Sequence, residues 1–125
     1  MNGNTRRGFT LIELLIVVVI IGILTAIAIP KVTSVKEKAY VASMKSDLRL
    51  MVSAQEAYFA DNNGSYATSL AAIGTGYRPS SGNSVQIHNV TGSGYLLIAL
   101  NSSTTKTCSL TMGGGTTNEG TPLCQ

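Results

Sequence analysis

Histidine occurs once, at His88, and cysteine only twice, at Cys108 and Cys124. That scarcity removes most routes to catalysis. A Ser-His-Asp site would have to use His88, and no G-x-S-x-G elbow accompanies it. His88 reads instead as a surface or edge residue of a strand. A metal cage needs several Cys, His or carboxylate ligands, and the chain has too few outside its helical part. Asp61, Asn62 and Asn63 fit the capping of a helix better than a calcium loop. Gly113-Gly114-Gly115 lacks the lysine of a phosphate loop. The expectation is no enzyme, no metal and no cofactor. Charge is scarce as well, at 12% Asp, Glu, Lys and Arg. Arg6 and Arg7 supply much of the net +3, and beyond Gly8 seven Lys/Arg face six Asp/Glu. Those lysines are scattered rather than clustered, which argues against a nucleic-acid binder.

What the chain does have is a long greasy start. From Phe9 to Ile29 the one charge is Glu13, and the other interruptions are Thr10, Gly22 and Thr25. As a helix this run would reach roughly 31 Å, about one bilayer core. It is apolar on every side, so it needs lipid or other apolar helices around it. Arg6 and Arg7 would stay cytoplasmic by the positive-inside tendency, which places the rest of the chain outside. An export signal cut at Ala26-Ile27-Ala28 is the competing reading; Thr5-Arg6-Arg7-Gly8-Phe9 even resembles a twin-arginine signal. Glu13 inside the run, Pro30 just past the cut, and helical patterning that continues beyond it all weigh against that reading.

The patterning continues through Val41, Met44, Leu48, Met51 and Tyr58, with Gln55 as the polar exception. Val52 and Phe59 broaden the stripe, and Tyr40, Tyr58 and Phe59 read as core or subunit contacts. Lys36, Lys38, Lys45, Asp47 and Arg49 are expected mainly on the other, solvated side. Asn62-Asn63-Gly64 supplies the stop. Pro30 removes a backbone donor and is expected to kink or loosen the rod. If continuous from Phe9 to about Ala60, the helix would be roughly 78 Å long, more than any bilayer needs. Its second half must therefore lie on a small core.

That core is expected from three strands, VQIHNV, GYLLIALN and KTCSLTM, separated by Gly, Ser, Thr and Asn. Before them, Ser65 to Ser84 reads as a loop with one apolar turn at Leu70 to Ile73. YLLIAL is apolar on both faces and suits the middle of an antiparallel meander packed on the amphipathic half-helix. After Met112 the sequence has no periodicity. With an external head, Cys108 and Cys124 read as one disulfide, closing a loop of about fifteen residues worth on the order of 3 kcal/mol. Asn63-Gly64-Ser65, Asn89-Val90-Thr91 and Asn101-Ser102-Ser103 match the N-glycosylation pattern, a short signal in a chain this rich in Ser and Thr.

Glu13 remains to be explained. A cut between Gly8 and Phe9 would remove both arginines and create an α-amino group with a pKa of about 8. The mature helix would then start with a cation, followed one turn later by an anion. Packing many such helices in parallel buries Glu13, and a buried carboxylate is tolerable only when paired. The amine on Phe9 of a neighbouring copy is the available partner. That pair would set axial register while the aliphatic residues supply most of the attraction.

These residues also carry a resemblance. Gly8-Phe9-Thr10-Leu11-Ile12-Glu13-Leu14-Leu15, after a short basic leader and before the run through Gly22 to Pro30, resembles the class III signal of type IV pilins and pseudopilins. The resemblance is specific over Arg6 to Pro30, fair through Ala57 to Asn62 and Gly64 to Tyr66, and weak thereafter. It implies an α+β fold, ladle-like, with a long N-terminal helix packed on a small antiparallel sheet. It implies a cleaved leader (1–8), a transmembrane and fibre-core helix (9–30) and a globular head (31–125). Prepilin peptidase would cut after Gly8 and methylate Phe9, Glu13 would serve subunit docking, and the stretch between Gly22 and Pro30 could lose helicity in a fibre. Cys108 and Cys124 match the family's C-terminal pair. The family often has Pro after the tyrosine that follows the long helix; here Tyr66 is followed by Ala67. The implied partners are further copies in a helical fibre, prepilin peptidase, the pilus assembly machinery and the inner membrane. The expected function is a structural subunit of a type IV pilus, first in the inner membrane and then in an extracellular pilus. The alternatives are a pseudopilin of a type II secretion system or a minor pilin, and, more remotely, an exported soluble binding domain released after Ala28.

Overall fold

The structure, a computed structural model, describes residues 8–115 and 117–125. The two arginines before Gly8, expected as part of a leader, lie outside the described residues. One long helix, α1 (Leu11–Asp61), is followed by a single turn, α2 (Leu70–Ile73), and a short 3-10 turn (Gly74–Gly76). Four strands come next: β1 (Asn83–His88), β2 (Tyr95–Asn101), β3 (Thr107–Met112) and β4 (Leu123–Cys124). The chain divides into two compact units, one ending at Lys36 and the other spanning Glu37–Gln125.

The first unit is helix alone. Seventeen large apolar side chains from Phe9 to Val35 are exposed on it, and the helix is long and apolar enough there to cross a membrane. α1 is helical on both sides of Pro30.

The second unit is helix on sheet. The strands pair antiparallel in the order β1-β2-β3-β4. β2 is central and alternates perfectly, with Tyr95, Leu97, Ala99 and Asn101 buried and the residues between them half-buried. Register carries that face across the sheet, since Val85 lies opposite Ala99 and Leu110 opposite Leu97. Met44, Leu48 and Met51 of α1 close over this face in one core with Val85, Leu97, Ala99, Cys108 and Leu110. The spacing of the three α1 residues, three or four apart, is why one helix face suffices.

The end of α1 follows from its sequence. Asn63 and Gly64 adopt positive φ, 53° and 74°, and Gly64 N–H donates to the Phe59 carbonyl at 3.1 Å. This is the six-to-one bond of a Schellman ending, which Asn and Gly tolerate. Asn62 adds its side-chain amide to the Tyr58 carbonyl at 2.8 Å. Just beyond, Gln55 clamps Ala67 by accepting from its N–H and donating to its carbonyl, both at 2.9 Å. Tyr66 packs between Phe59, which is tilted to it, and Tyr95, which meets it edge-on, with centroids 4.5 and 4.8 Å away.

Two expectations need correction. Asp47 is not on the solvated side; it is 1% exposed. Its carboxylate accepts from Ser80 N–H at 2.9 Å, Ser80 Oγ at 2.7 Å and Asn83 Nδ2 at 2.6 Å. Asn83 also reaches Ser43 and accepts from Asn101 Nδ2. The carboxylate therefore fastens the loop before β1 to the helix, and hydrogen bonds replace the water it loses. The second correction is the sheet itself, which has four strands rather than three. Residues after Met112 return to lay β4 on β3, with Cys124 opposite Cys108. Thr107 and Gln125 exchange both backbone bonds, at 3.0 and 3.1 Å, and the disulfide joins the adjacent pair. No periodicity could announce a strand of two residues; the covalent bond and the β3 edge select it.

Asp47→Ala would strand the donors of Ser80 and Asn83 and should lower stability by about 3 kcal/mol, read as an earlier thermal transition of the full chain in detergent micelles. Cys108→Ser should cost a comparable amount, about 3 kcal/mol, and should release β4, seen as rapid amide exchange at Thr107 and Gln125.

Candidate functional site: the first turns of the long helix

The start of α1 is built by Thr10 and Glu13. Thr10 N–H and Thr10 Oγ1 both donate to Glu13 Oε2 at 2.8 Å. Glu13 N–H returns a bond to Thr10 Oγ1 at 3.3 Å, and Leu14 N–H donates to the Thr10 carbonyl at 3.3 Å. This is a capping box, with a hydroxyl before the helix and a carboxylate three residues on, and it satisfies backbone donors that the first turn leaves unpaired. The T-x-x-E pattern was present in the sequence; the reading of Glu13 as a docking group passed over it. A negative charge in the first turn also faces the positive end of the helix dipole.

The geometry changes how Glu13 can act. Both Thr10 bonds fall on Oε2, and among the described residues no donor meets Oε1. The carboxylate is thus held in place by its own chain and still presents an oxygen outward. Phe9 stands directly before the capping residue and is exposed.

Gly22 and Pro30 lie within α1, one with open space where a Cβ would be and the other without a backbone donor. Three hydroxyls that sequence reading had not singled out gather around them. Thr25 Oγ1 donates to the Ile21 and Gly22 carbonyls at 2.8 and 3.0 Å. Thr33 Oγ1 donates to the Pro30 carbonyl at 2.8 Å, and Ser34 Oγ to the Lys31 carbonyl at 3.0 Å. Such bonds offer the backbone partners outside the helical ladder. The signal that could have found them is the Ser/Thr spacing around a helical Pro and Gly. The structure places His88 at the exposed end of β1, with Nε2 3.2 Å from Gln86 Oε1.

Comparison with known proteins bears on this N-terminal turn first. A family profile described as a prokaryotic N-terminal methylation motif matches residues 3–29. A type IV wide pilus major component, PilA4 of Thermus thermophilus, is 35% identical over 97 residues, covering 77% of this chain and 74% of that protein. The chain belongs to the type IV pilin and pseudopilin family. Shorter matches point to both branches. Type II secretion system core protein G of Pseudomonas aeruginosa is 42% identical over 62 residues, half of this chain and 44% of that one. The type IV major pilin PilA of Myxococcus xanthus is 45% identical over 58 residues, 46% of this chain and 26% of its own length. The chain thus spans less than half the length of these last two relatives. Pilin-type architecture, a long N-terminal helix packed on an antiparallel sheet, is what the structure shows.

Thr10→Ala removes the hydroxyl of the box but not Glu13. The expected result is a frayed first turn, a loss of about 1 kcal/mol, seen as faster amide exchange at Glu13 and Leu14 in micelles while Met44 to Met51 exchange unchanged.

Proposed function

We propose that this chain is the structural subunit of a type IV pilus, made as a membrane-anchored precursor and polymerised through the apolar half of α1. The observation that carries this reading is the exposed aliphatic surface from Phe9 to Val35, whose one charge as far as Ile29 is a carboxylate, in a chain whose relationship to a pilus component runs across most of its length. Fully burying a Val, Leu or Ile side chain is worth about 1.5–3 kcal/mol. Sixteen such exposed groups and Phe9 supply the attraction in lipid-free packing, and no specific polar contact needs to.

Glu13 then acts in register rather than in affinity. Prepilin peptidase removes residues 1–8 and methylates the amine of Phe9. A methylated secondary amine stays cationic near neutral pH and keeps a proton to donate. In the growing fibre that amine approaches the outward oxygen of Glu13 on the neighbouring copy, while Thr10 of the same copy holds the other. A buried ion pair adds little net energy, but breaking it leaves a charge uncompensated, so misaligned additions are rejected. Gly22, Pro30 and the three hydroxyls make the segment between them the weakest helix in the rod, the place where helicity can be given up as subunits pack. The precursor resides in the bacterial inner membrane and the product is an extracellular fibre; the assembly machinery extracts the one into the other.

A second reading, a pseudopilin of a type II secretion system, rests on the matches to core protein G. The Cys108–Cys124 staple, which ties the C-terminus to β3, favours the pilus. Finding this chain in long sheared surface fibres supports the pilus; finding it confined to the periplasm supports the secretion system.

Two measurements test the core of the proposal. Mass spectrometry of the mature protein should give N-methyl-Phe9 as the first residue, against Ile29 for a conventional export signal. Glu13→Val should be inserted and cleaved normally yet appear in sheared fibres at a tenth or less of the wild-type amount; fibres formed as well as wild type would sink the register mechanism.

A further inference from the structure

We propose that Asn63 is an acceptor for an asparagine-linked glycan. Three Asn-x-Ser/Thr triplets occur, and the structure separates them. Asn101 is 8% exposed, and its amide is engaged with Asn83 and with Ser103 N–H, so it is closed to any enzyme. Asn89 is exposed, but the hydroxyl that completes its triplet, on Thr91, is turned inward to the Gly94 carbonyl at 3.1 Å. Asn63 differs on every count. Asp61 through Ser65 are all exposed, forming the turn that leaves α1.

That turn lies outside the core, between two fastenings to it. On its N-terminal side the helix is fixed by Met51 and Gln55, which are fully buried. On its C-terminal side Ala67 is clamped by Gln55 and Tyr66 is packed against Phe59 and Tyr95. Between these fastenings, positive φ at Asn63 and Gly64 thrusts the segment outward. Gly64 in the middle of the triplet lets the backbone take the sharp bend an acceptor peptide needs. Asp61 adds an exposed carboxylate two residues before the asparagine, a charge that a cationic side chain of the transferase could hold by a charge-assisted hydrogen bond. The other two triplets have Ile87 and Ala99 at that place.

The reaction joins Asn63 Nδ2 to the anomeric carbon of a polyprenyl-diphosphate-linked oligosaccharide. The bond from that carbon to the phosphate oxygen breaks, the diphosphate leaves with the electron pair, and the amide proton passes to a base of the transferase. The donor and enzyme work on the outer side of the inner membrane, so the inference rests on the head lying outside.

The test produces the full chain, tagged at its C-terminus with the acceptor sequence Asp-Gln-Asn-Ala-Thr, in bacteria carrying a bacterial oligosaccharyltransferase and its lipid-linked oligosaccharide. Expected are two glycan masses, one on the tag and one on the tryptic peptide from Leu50 to Lys106, since trypsin does not cut between Arg78 and Pro79, with fragmentation placing the second on Asn63. The second should vanish in Ser65→Ala, persist in Ser65→Thr, and fall at least tenfold in Asp61→Asn. Ser65→Ala leaves the α1 ending intact and so guards against misfolding of Asn63→Gln. A glycan on the tag with none at Asn63 overturns the proposal while leaving the external head in place. A bare tag overturns both. A mass gain of about one unit at Asn63, deamidation of the Asn-Gly pair alone, also overturns it.

Discussion

An aliphatic helix surface that water will not tolerate governs everything else in this protein. From Phe9 to Val35 the large apolar side chains are exposed. In lipid such a helix is stable because each backbone group is satisfied along its own axis. Val and Ile, poor helix formers in water, are then no handicap. The same surface can be satisfied by copies of itself. A lipid-soluble rod and a fibre core are two solutions to one problem, and the exceptions to apolarity mark where they differ. Glu13 sits in the first turn, held by Thr10, where a charge can stay hydrated or meet another chain. Gly22 and Pro30 lie further along the same helix, the second without a backbone donor.

The second unit solves a different problem, how to make a firm body from one helix face and four strands. Its core is thin, and two polar fastenings and one covalent one supplement it. Asp47 ties the loop before β1 to the helix. Gln55 ties the chain leaving the helix back to it. The disulfide ties the C-terminus to β3. Each is remote in sequence from what it fastens, and each stabilises a segment with no regular structure to stabilise itself. Burial pushes the phenols of Tyr77 and Tyr95 well above the ordinary tyrosine range, helped by the charges of Asp47 and Glu56 respectively. Both rings therefore stay neutral across physiological pH and serve as large apolar residues with a polar tip.

Much of the architecture could be read from residues alone because it depends on local periodicity. The apolar run, the stripe of Met44, Leu48 and Met51, the Asn-Gly stop, the alternation of β2 and the cysteine pair all express constraints between neighbours a few positions apart. The signature from Gly8 to Leu15 was legible for the same reason, and relatives sharing it confirm the family. Asp47 was misplaced because helical spacing put it beside charged residues; its partners, Ser80 and Asn83, lie more than thirty positions away. β4 was missed because two residues carry no pattern.

By itself, then, the sequence determined which segments are helical or extended, which face of each is apolar, and that one end of the chain must leave water. Those follow from short-range stereochemistry and from the solubility of side chains. Only the tertiary structure decided which polar side chains are buried and by what they are satisfied, and that the patternless C-terminus becomes a strand. These choices turn on pairings across space, where a carboxylate or an unpaired sheet edge takes whichever donor the fold brings near it.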